Sequence, residues 1–298
     1  MSSRLPGCLL SASVCPNIQS EKMEGRKREE LGAGGLPLGG IGHQGLLAAR
    51  KRAQPAIEFS NFSFSYKSGR RALDRVSLLI GQGEFVALMG ETGSGKSTLL
   101  LSLNGIVPSM TGGKTGGRLF VMGKEPSSEG VKNMSRLVSI VFQNPDDQIF
   151  AGTVLEETTF GPLNHGACWR DAERAANAAL AKVGLAGFEG RDPSELSFGQ
   201  RQKVAFASAL AMGTPIMAFD EPVSGMDYKS ARGIYSILEM LHKEGRTIIV
   251  VEHSDYVHSL AGRFVLMKDG QMAAQGGRKV LSSAIAKELG MHGAVHRR

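Results

Sequence analysis

The sequence predicts an α/β fold: a parallel sheet at the core, an N-terminal antiparallel β subdomain and an inserted α-helical subdomain. Three observations lead to this prediction. Apolar and polar residues first alternate as in a half-buried strand, buried apolar runs then alternate with helical segments, and residues 154–211 are predominantly helical in pattern. Because regular patterning begins near Ala56, we expect a domain at 56–276, with the helical subdomain at about 150–210, and a C-terminal tail at 277–298.

Residues 1–55 lack this patterning. Seven glycines and one proline fall within residues 31–45, a composition typical of a flexible stretch. Residues 5–8 are faintly similar to a lipoprotein cleavage site, but only four residues precede them, too few for the apolar segment of such a signal. We therefore expect a disordered leader, and the sequence leaves open whether it belongs to the mature protein.

Composition excludes several classes of partner. The formal net charge is +7, but residues 1–55 carry eight basic and four acidic residues, so the rest of the chain is only slightly basic. We therefore expect no nucleic-acid partner. The three cysteines (Cys8, Cys15 and Cys168) lack metal-ligand spacing, which indicates a reducing, cytosolic setting. No apolar run reaches the roughly 18 residues that span a bilayer, so a membrane role would need a partner.

The first patterned elements are two predicted strands. Ile57, Phe59, Phe62, Phe64 and Tyr66 alternate with polar residues, and residues 73–80 form a second strand after a turn. Residues 85–89 are continuously apolar, as expected of a strand buried on both faces. The other predicted strands are 138–142, 216–219 and 247–251, with a terminal hairpin at 264–274; the predicted helices are 96–104, 169–183, 199–210 and 229–243.

The most specific motif lies between the strand at 85–89 and the helix at 96–104. Residues 90–97 read Gly-Glu-Thr-Gly-Ser-Gly-Lys-Ser and fit the pattern G-x-x-x-x-G-K-[ST] in its strand–loop–helix context. Its glycines allow consecutive backbone N–H groups to point inward, and the following helix adds its positive N-terminal end. Lys96 supplies a charge for the β- and γ-phosphates and Ser97 a hydroxyl for Mg²⁺. The segment predicts a P-loop NTPase core.

Polar residues at the ends of other predicted strands complete this chemistry. Asp220 follows the run Ile-Met-Ala-Phe and is expected to hold the Mg²⁺ shell. Glu221 comes next and is placed to act as general base on the attacking water. Gln143 could reach the metal or the water through its amide, and His253 could hydrogen-bond a γ-phosphate. Because these residues follow strands of one predicted parallel sheet, we expect them to converge with Lys96 on one crevice.

The segment Leu196-Ser197-Phe198-Gly199-Gln200 adds a second helix N-terminus that can face an anion. With it, the chain resembles the ATP-binding-cassette (ABC) ATPases from Ile57 to about Gly276, roughly three-quarters of its length. The family's landmarks occur in order along the chain: an aromatic A-loop residue (Tyr66), Walker A (residues 90–97), the Q-loop (Gln143), the signature (residues 196–200), Walker B (residues 216–221), the D-loop (residues 224–227) and the switch histidine (His253).

The resemblance implies a composite ATP site shared by two ATPase subunits paired head to tail. Each signature would cap the γ-phosphate held by the other subunit's Walker A, and Tyr66 would stack on adenine. Phe198 stands where the family's Leu-Ser-Gly-Gly-Gln has its first glycine, which puts turnover in question more than nucleotide binding. The resemblance implies that ATP is bound by Tyr66, Gly90, Glu91, Thr92, Gly93, Ser94, Gly95, Lys96, Ser97 and Thr98, and in trans by Ser197, Gly199 and Gln200. It implies that Mg²⁺ is held by Ser97, Gln143 and Asp220. The implied catalytic residues are Glu221, His253 and Gln143.

The Q-loop segment narrows the resemblance further. Residues 141–150 read Val-Phe-Gln-Asn-Pro-Asp-Asp-Gln-Ile-Phe and look like the Q-loop of energy-coupling-factor importers and the related cobalt and nickel uptake ATPases. Residues 159–164 extend that similarity. The resemblance implies a peripheral subunit on the cytoplasmic face of the cell membrane, with a transmembrane coupling protein docked beside its Q-loop. A separate membrane protein would capture the solute, a vitamin or a transition-metal ion.

Two other functions stay open. Phe198 motivates an ATP-binding assembly or regulatory module with little turnover, and the shared core motifs also fit the ATPase subunit of another ABC transporter class, such as an exporter. About 100 residues without a long heptad run separate Lys96 from Ser197, which excludes chromosome-organising ABC ATPases. The single motif set argues against tandem translation-factor types. The sequence reveals neither the solute nor whether the ATPase pair is a homodimer or a heterodimer.

Overall fold

The computed structural model describes residues 54–252 and 254–283, and within these ranges the chain forms nine strands in two sheets. Almost all of the predicted leader, most of the predicted tail and His253 lie outside the described residues. The predicted α/β fold class is confirmed. The strands are β1 (Ile57–Ser65), β2 (Arg71–Ile80), β3 (Phe85–Gly90), β4 (Lys114–Val121), β5 (Val138–Val141), β6 (Ile216–Asp220), β7 (Thr247–Val251), β8 (Arg263–Lys268) and β9 (Gln271–Gly276).

Eight α-helices lie in the same described ranges, and the four predicted ones begin and end within one residue of their predicted bounds. Short 3-10 helices cover Pro145–Asp147, Pro193–Glu195 and Arg278–Ser282. No helix in the described part of the chain combines the length and the apolar character that crossing a membrane requires. The α-helices are α1 (Lys96–Leu103), α2 (Ile106–Ser109), α3 (Pro126–Met134), α4 (Val154–Asn164), α5 (Trp169–Lys182), α6 (Phe198–Ala211), α7 (Tyr228–Lys243) and α8 (Asp255–Leu260).

The antiparallel sheet has the strand order β2-β1-β4. The apolar alternation of β1 skips a residue between Phe59 and Phe62, and the structure has a bulge there. Phe59 pairs with Leu78 but Phe62 with Val76, and Asn61 between them takes a φ of 48°. The extra residue restores the inward direction of the second phenylalanine, so both rings are buried.

The sequence pattern does not predict β4, the third strand of this sheet. Its first five residues are exposed and include Gly116 and Gly117, so no apolar alternation marks it. The strand forms by antiparallel main-chain pairing with β1, in which Val121 lies opposite Ile57. Because main-chain hydrogen bonding does not depend on side-chain type, such a strand leaves little trace in the sequence.

The larger sheet has the order β5-β6-β7-β3-β8-β9, in which only β9 runs antiparallel to its neighbour. The predicted terminal hairpin is β8–β9. Asp269 and Gly270 form its turn with φ values of 48° and 78°, as a tight hairpin turn requires. Because β5, β6, β7 and β3 lie side by side and parallel, their carboxyl ends line one edge of the sheet.

The core lies on both faces of this sheet, because alternate residues of each strand point to opposite faces. On one face, Phe85 and Met89 of β3 join a cluster with residues of β6, α5, α6 and α7, including Phe206 and Phe219. On the other face, Leu88 of β3 joins a cluster with residues of α1 and the antiparallel sheet. The sheet edge that carries the predicted site is therefore fixed by packing from both sides.

Candidate active site

The loop between β3 and α1 is built on three glycines with positive φ. Gly90, Gly93 and Gly95 have φ values of 150°, 84° and 100°, which residues with a β-carbon rarely adopt. A β-carbon at Gly90 would lie 2.2 Å from the main-chain oxygen of Met267, and one at Gly95 would lie 2.4 Å from that of Ala72. Backbone conformation therefore favours glycine at all three positions, and the close approach of neighbouring main chain also requires it at Gly90 and Gly95.

The amino end of α1 is open to an anion. Its N-cap is Gly95, no side chain caps its first N–H groups, and its first turn contains no acidic residue. By contrast, α4 and α6 each begin with a capping box, in which side chains bond the first amides. The uncapped amides and the positive end of the helix dipole can therefore bind a phosphate.

Two side chains inside the loop have the chemistry of a phosphate site. The Lys96 ammonium donates hydrogen bonds to the main-chain oxygens of Gly90 (2.7 Å) and Glu91 (2.8 Å). Burial lowers the pKa of Lys96, and the nearby Glu221 and Asp220 carboxylates partly oppose that shift. The hydroxyl of Ser94 is buried and has no hydrogen-bond partner among the described residues. A triphosphate would give both groups anionic partners.

Ser97 and Asp220 meet at the edge of the sheet and present oxygen ligands of the kind that Mg²⁺ prefers. The Ser97 hydroxyl lies close enough to the Asp220 carboxyl to act on its pKa. Burial raises the pKa of Asp220, although the Ser97 hydroxyl and the charge of Lys96 act against this shift. Mg²⁺ is commonly held by one or two protein oxygens together with substrate phosphates and water, so this pair fits the ion.

Gln143 and Glu221 are in direct contact. The amide nitrogen of Gln143 donates a hydrogen bond of 2.7 Å to the Glu221 carboxylate. Glu221 takes a φ of 45°, which is uncommon for a residue with a side chain, and its main-chain N–H donates to the oxygen of Val251 on β7 (3.0 Å). The bond to Val251 fixes the backbone of Glu221, and the bond from Gln143 orients its carboxylate. The role of Gln143 as a Mg²⁺ ligand stays a prediction, because its amide nitrogen faces Glu221.

His253 lies outside the described residues, but hydrogen bonds join the residues on either side of it. The main-chain N–H of Ser254 donates to the Glu252 carboxylate (3.2 Å), and the hydroxyls of Ser254 and Tyr235 are 2.5 Å apart. Burial is the main cause that raises the pKa of Tyr235, so its hydroxyl keeps its proton. The position of His253 as a phosphate ligand stays a prediction.

Tyr66 lies beside the phosphate loop. Its hydroxyl is 2.9 Å from that of Thr98, and its ring packs edge-on against Phe64 with centroids 4.8 Å apart. The Thr98 side chain on α1 is therefore hydrogen-bonded to Tyr66. Stacking of Tyr66 on adenine stays a prediction.

The signature segment forms the start of α6. The Ser197 hydroxyl oxygen accepts a hydrogen bond from the N–H of Gln200 (3.4 Å), and the Gln200 amide oxygen accepts one from the N–H of Ser197 (2.9 Å). Because the hydroxyl of Ser197 only accepts in this capping box, its own proton is free to donate to an outside ligand. Ser197 is also exposed, as a residue acting in trans must be.

Sequence reasoning missed the residues that support the loop from the antiparallel side. A guanidinium nitrogen of Arg70 donates to the main-chain oxygen of Gly93 (3.4 Å), and the main-chain N–H of Gly270 donates to the main-chain oxygen of Ser94 (3.1 Å). The main-chain oxygen of Gly270 in turn accepts a hydrogen bond from the main-chain N–H of Asp74 (2.8 Å). Gly270 is a sequence signal for the hairpin turn, but its contact with a loop 176 positions earlier has no local signature.

A groove of about 540 Å³ opens beside the Q-loop, between that loop, α4 and α6. Phe150 and Phe160 line it, with 66% and 49% of their surface exposed, and their rings pack edge-on with centroids 4.7 Å apart. Exposed aromatic pairs of this kind are uncommon on surfaces that meet only water. Polar residues at the margin, among them His165 and Lys132, complete the lining.

Comparisons with known proteins agree with this geometry. The family described as ABC transporter matches residues 73–224. The energy-coupling factor transporter ATP-binding protein EcfA of Methanothermobacter thermautotrophicus is 39% identical over 223 residues, 74% of this chain and 70% of that protein.

Two solved structures are similar in fold. CbiO1 of Clostridium perfringens, described as part of the ABC transporter complex CbiONQ, is 29% identical with a TM-score of 0.67, over 80% of this chain and 95% of that one. The dimeric post-hydrolysis structure of the ATP-binding cassette MJ0796, bound to ADP and Pi, is 28% identical with a TM-score of 0.66. The match covers 74% of this chain and 98% of that one. The chain therefore belongs to the ABC transporter family and is an ATP-binding, ATP-hydrolysing subunit of that family.

Proposed function

We propose that this ATPase is the energy-supplying subunit of an energy-coupling-factor-type importer and powers uptake of a vitamin or a transition-metal ion through membrane partners. The observation that carries the proposal is the Q-loop segment 141–150, which borders the apolar groove and resembles that of this importer class. The similarity to EcfA, an energy-coupling factor transporter protein, and to CbiO1, part of the CbiONQ complex, supports the same class.

The proposed hydrolysis uses the side chains at the carboxyl edge of the sheet. Lys96 and the loop amides bind the phosphates and neutralise charge that develops during transfer. Glu221 takes the proton of the attacking water, and its contact with Gln143 keeps the carboxylate turned toward that water. Ser97 and Asp220 would hold Mg²⁺, which would further neutralise the phosphate charge.

The proposed site is completed by a second ATPase subunit. Exposed Ser197, with its hydroxyl proton free, and the positive end of the α6 dipole are suited to a γ-phosphate held by a partner chain. Gly199 and Gln200 belong to the same turn of helix. The MJ0796 cassette, which is similar in fold, is described as a dimer, and this supports the paired arrangement.

The groove beside the Q-loop is the proposed contact with the membrane partner. Its exposed Phe150 and Phe160 offer apolar area to a helix of a transmembrane coupling protein. Movement of a helix seated there would reach Gln143, because Phe142 lines the same groove and precedes Gln143 directly. On this proposal the subunit is peripheral, on the cytoplasmic face of the membrane, and a separate membrane protein captures the solute.

Purification of the complex from its own membranes tests the proposal. The tagged protein, expressed in its own source cells, is isolated in mild detergent and the copurifying membrane proteins are identified. We expect a coupling protein without an ATPase domain, together with a small substrate-capture protein. The Phe160→Glu variant should lose both partners, whereas Leu79→Glu, which alters an exposed leucine (54%) on β2 outside the groove, should keep them.

A large exporter permease in place of these two partners would contradict the proposed transporter class. Retention of the coupling protein by Phe160→Glu would contradict the proposed use of the groove. The two results bear on different steps of the proposal and are obtained from the same preparation.

A further inference from the structure

Phe198 contacts the D-loop of its own chain. Its Cε1 and Cζ atoms lie 3.4 and 3.7 Å from the point that a β-carbon on Gly225 would occupy. Gly225 has a φ of 75° and no side chain, which leaves this space to the ring. The aromatic residue that replaces a glycine in the signature is thus matched by a glycine in the facing loop.

A second contact joins the same two segments one residue further along each. A β-carbon on Gly199 would lie 3.6 Å from the methyl group of Met226 and 3.8 Å from the Ser230 hydroxyl. The far end of the loop is held separately, because the Asp227 carboxylate accepts a hydrogen bond from the N–H of Ser230 (3.0 Å) and caps α7. The start of α6 therefore covers the middle of the D-loop.

The D-loop is continuous with Glu221 through two consecutive turns. The N–H of Ser224 donates to the main-chain oxygen of Glu221 (3.1 Å), and that of Met226 donates to the oxygen of Val223 (3.1 Å). Ser224 and Gly225 are exposed, and the atoms that lie within 4 Å of the β-carbon position on Gly225 belong to the Phe198 ring. A shift of these turns would carry the backbone of Glu221, which already has a positive φ.

We propose that Phe198 is a positioning residue that braces the D-loop against the start of α6 and so fixes the Glu221 carboxylate for catalysis. The inference rests on the proposed role of Glu221 as general base. It assigns the departure from the Leu-Ser-Gly-Gly-Gln pattern a supporting role within the subunit. The rival interpretation, that Phe198 obstructs the trans contact and slows turnover, predicts the opposite sign for the variant that restores glycine.

Steady-state kinetics separate the two interpretations. Phe198→Gly should lower the kcat for ATP hydrolysis by roughly ten- to a hundredfold with little change in KM, because misplacement of a catalytic group by about 1 Å has costs of that order. Phe198→Tyr, which keeps the ring, should restore most of the activity. Trp169→Gly is the matched control: it removes an exposed aromatic residue (51%) from the same first position of another 14-residue helix, α5, and should leave kcat unchanged.

Hydrogen exchange of the nucleotide-free protein supplies a readout independent of turnover and of any partner subunit. In Phe198→Gly the amides of Ser224 and Met226 should exchange faster than in the wild type, while amides of the buried strand β6 stay protected. Turnover of Phe198→Gly at or above the wild-type level would overturn the inference, and so would unchanged exchange in the D-loop. Failure of the general-base role would instead be seen as full activity of Glu221→Gln with the exchange effect intact.

Discussion

Glu221 illustrates how one residue acquires its role from several local constraints. It directly follows β6, its N–H is bonded to β7, and its carboxylate is bonded to Gln143 after β5. A positive φ for a glutamate costs of order 1–3 kcal/mol and persists only where neighbouring contacts compensate for it. The hydrogen bonds to Val251 on β7 and to Gln143 after β5 supply that compensation and hold the carboxylate near enough to Lys96 for its charge to act on that ammonium.

Glu221→Gln should therefore bind ATP like the wild type but hydrolyse it roughly 10²- to 10⁴-fold more slowly, because the amide cannot accept the proton of water. Phosphate release measured alongside binding of a fluorescent ATP analogue checks both parts. Glu239→Gln, an isosteric change on the exposed side of α7, is the control and should leave turnover unchanged. Turnover near the wild-type rate in Glu221→Gln would rule out the general-base assignment.

At the scale of elements, α4 and α6 begin with the same device. Thr153 and Glu156 form a capping box at α4, and Ser197 and Gln200 form one at α6. The two helices differ in that only the start of α6 carries the proposed trans contact. This pair allows the structural and the functional effect of a cap residue to be measured separately.

Ser197→Ala and Thr153→Ala should each lower the free energy of unfolding by about 1 kcal/mol, the usual cost of removing a hydroxyl N-cap. Only Ser197→Ala should also slow ATP turnover, since it alone loses a hydroxyl that we propose donates to the γ-phosphate. Urea denaturation and steady-state kinetics on the two variants test this. Equal turnover in both variants would leave Ser197 with a capping role alone.

His165, directly after α4, should make the free energy of unfolding depend on pH. Burial, and secondarily the charge of Arg136, lowers the pKa of His165, which is hydrogen-bonded to Ser135 after α3 (2.9 Å). Because the folded pKa lies below the unfolded value of 6.5, the unfolded state binds the proton more readily as pH falls. The free energy of unfolding should therefore be full above about pH 6.5 and decrease as pH drops toward the folded pKa.

Denaturant titrations at a series of pH values test this, with His165→Gln as the comparison. The glutamine variant should lose less stability than the wild type over the same fall in pH, since it removes the group that titrates. Identical pH dependence in the two proteins would show that His165 does not contribute. Carboxylates titrate at lower pH in both proteins and cancel in the comparison.

At the scale of the whole molecule, each proposed ATP site takes its phosphate loop from one subunit and its signature from another. Lys96→Ala should disable only the loop half. Gly199→Asp should disable only the signature half, because a carboxylate in the first turn of α6 suits the helix but repels a γ-phosphate. Each variant alone should be inactive, since every site in its pairs contains one damaged half.

Mixing the two variants should restore roughly a quarter of wild-type turnover, because half of randomly formed pairs are mixed and each mixed pair has one intact site of two. Mixing Lys96→Ala with Asp220→Asn is the matched control: both changes damage the same half, so no site is intact and no activity should return. Absence of recovery in the first mixture, with pairing verified by light scattering, would contradict a homodimeric composite site.

Local features of the fold and the site could be predicted from sequence because their causes lie within short stretches. The phosphate loop, the strand-end Asp220 and Glu221, and the bounds of α5, α6 and α7 each follow from patterns of a few to fifteen residues. The signature box at Ser197 is equally local. β4 could not be predicted, since it is formed by main-chain pairing and carries almost no side-chain pattern.

By itself, then, the sequence determined which residues can bind phosphate, hold a metal and accept a proton, because those properties belong to side-chain type and local backbone. Only the tertiary structure decided which of them touch. The bond from Gln143 to Glu221 and the contact of Phe198 with Gly225 join residues far apart in the chain. Such contacts depend on how strands and helices pack, which no short stretch of sequence encodes.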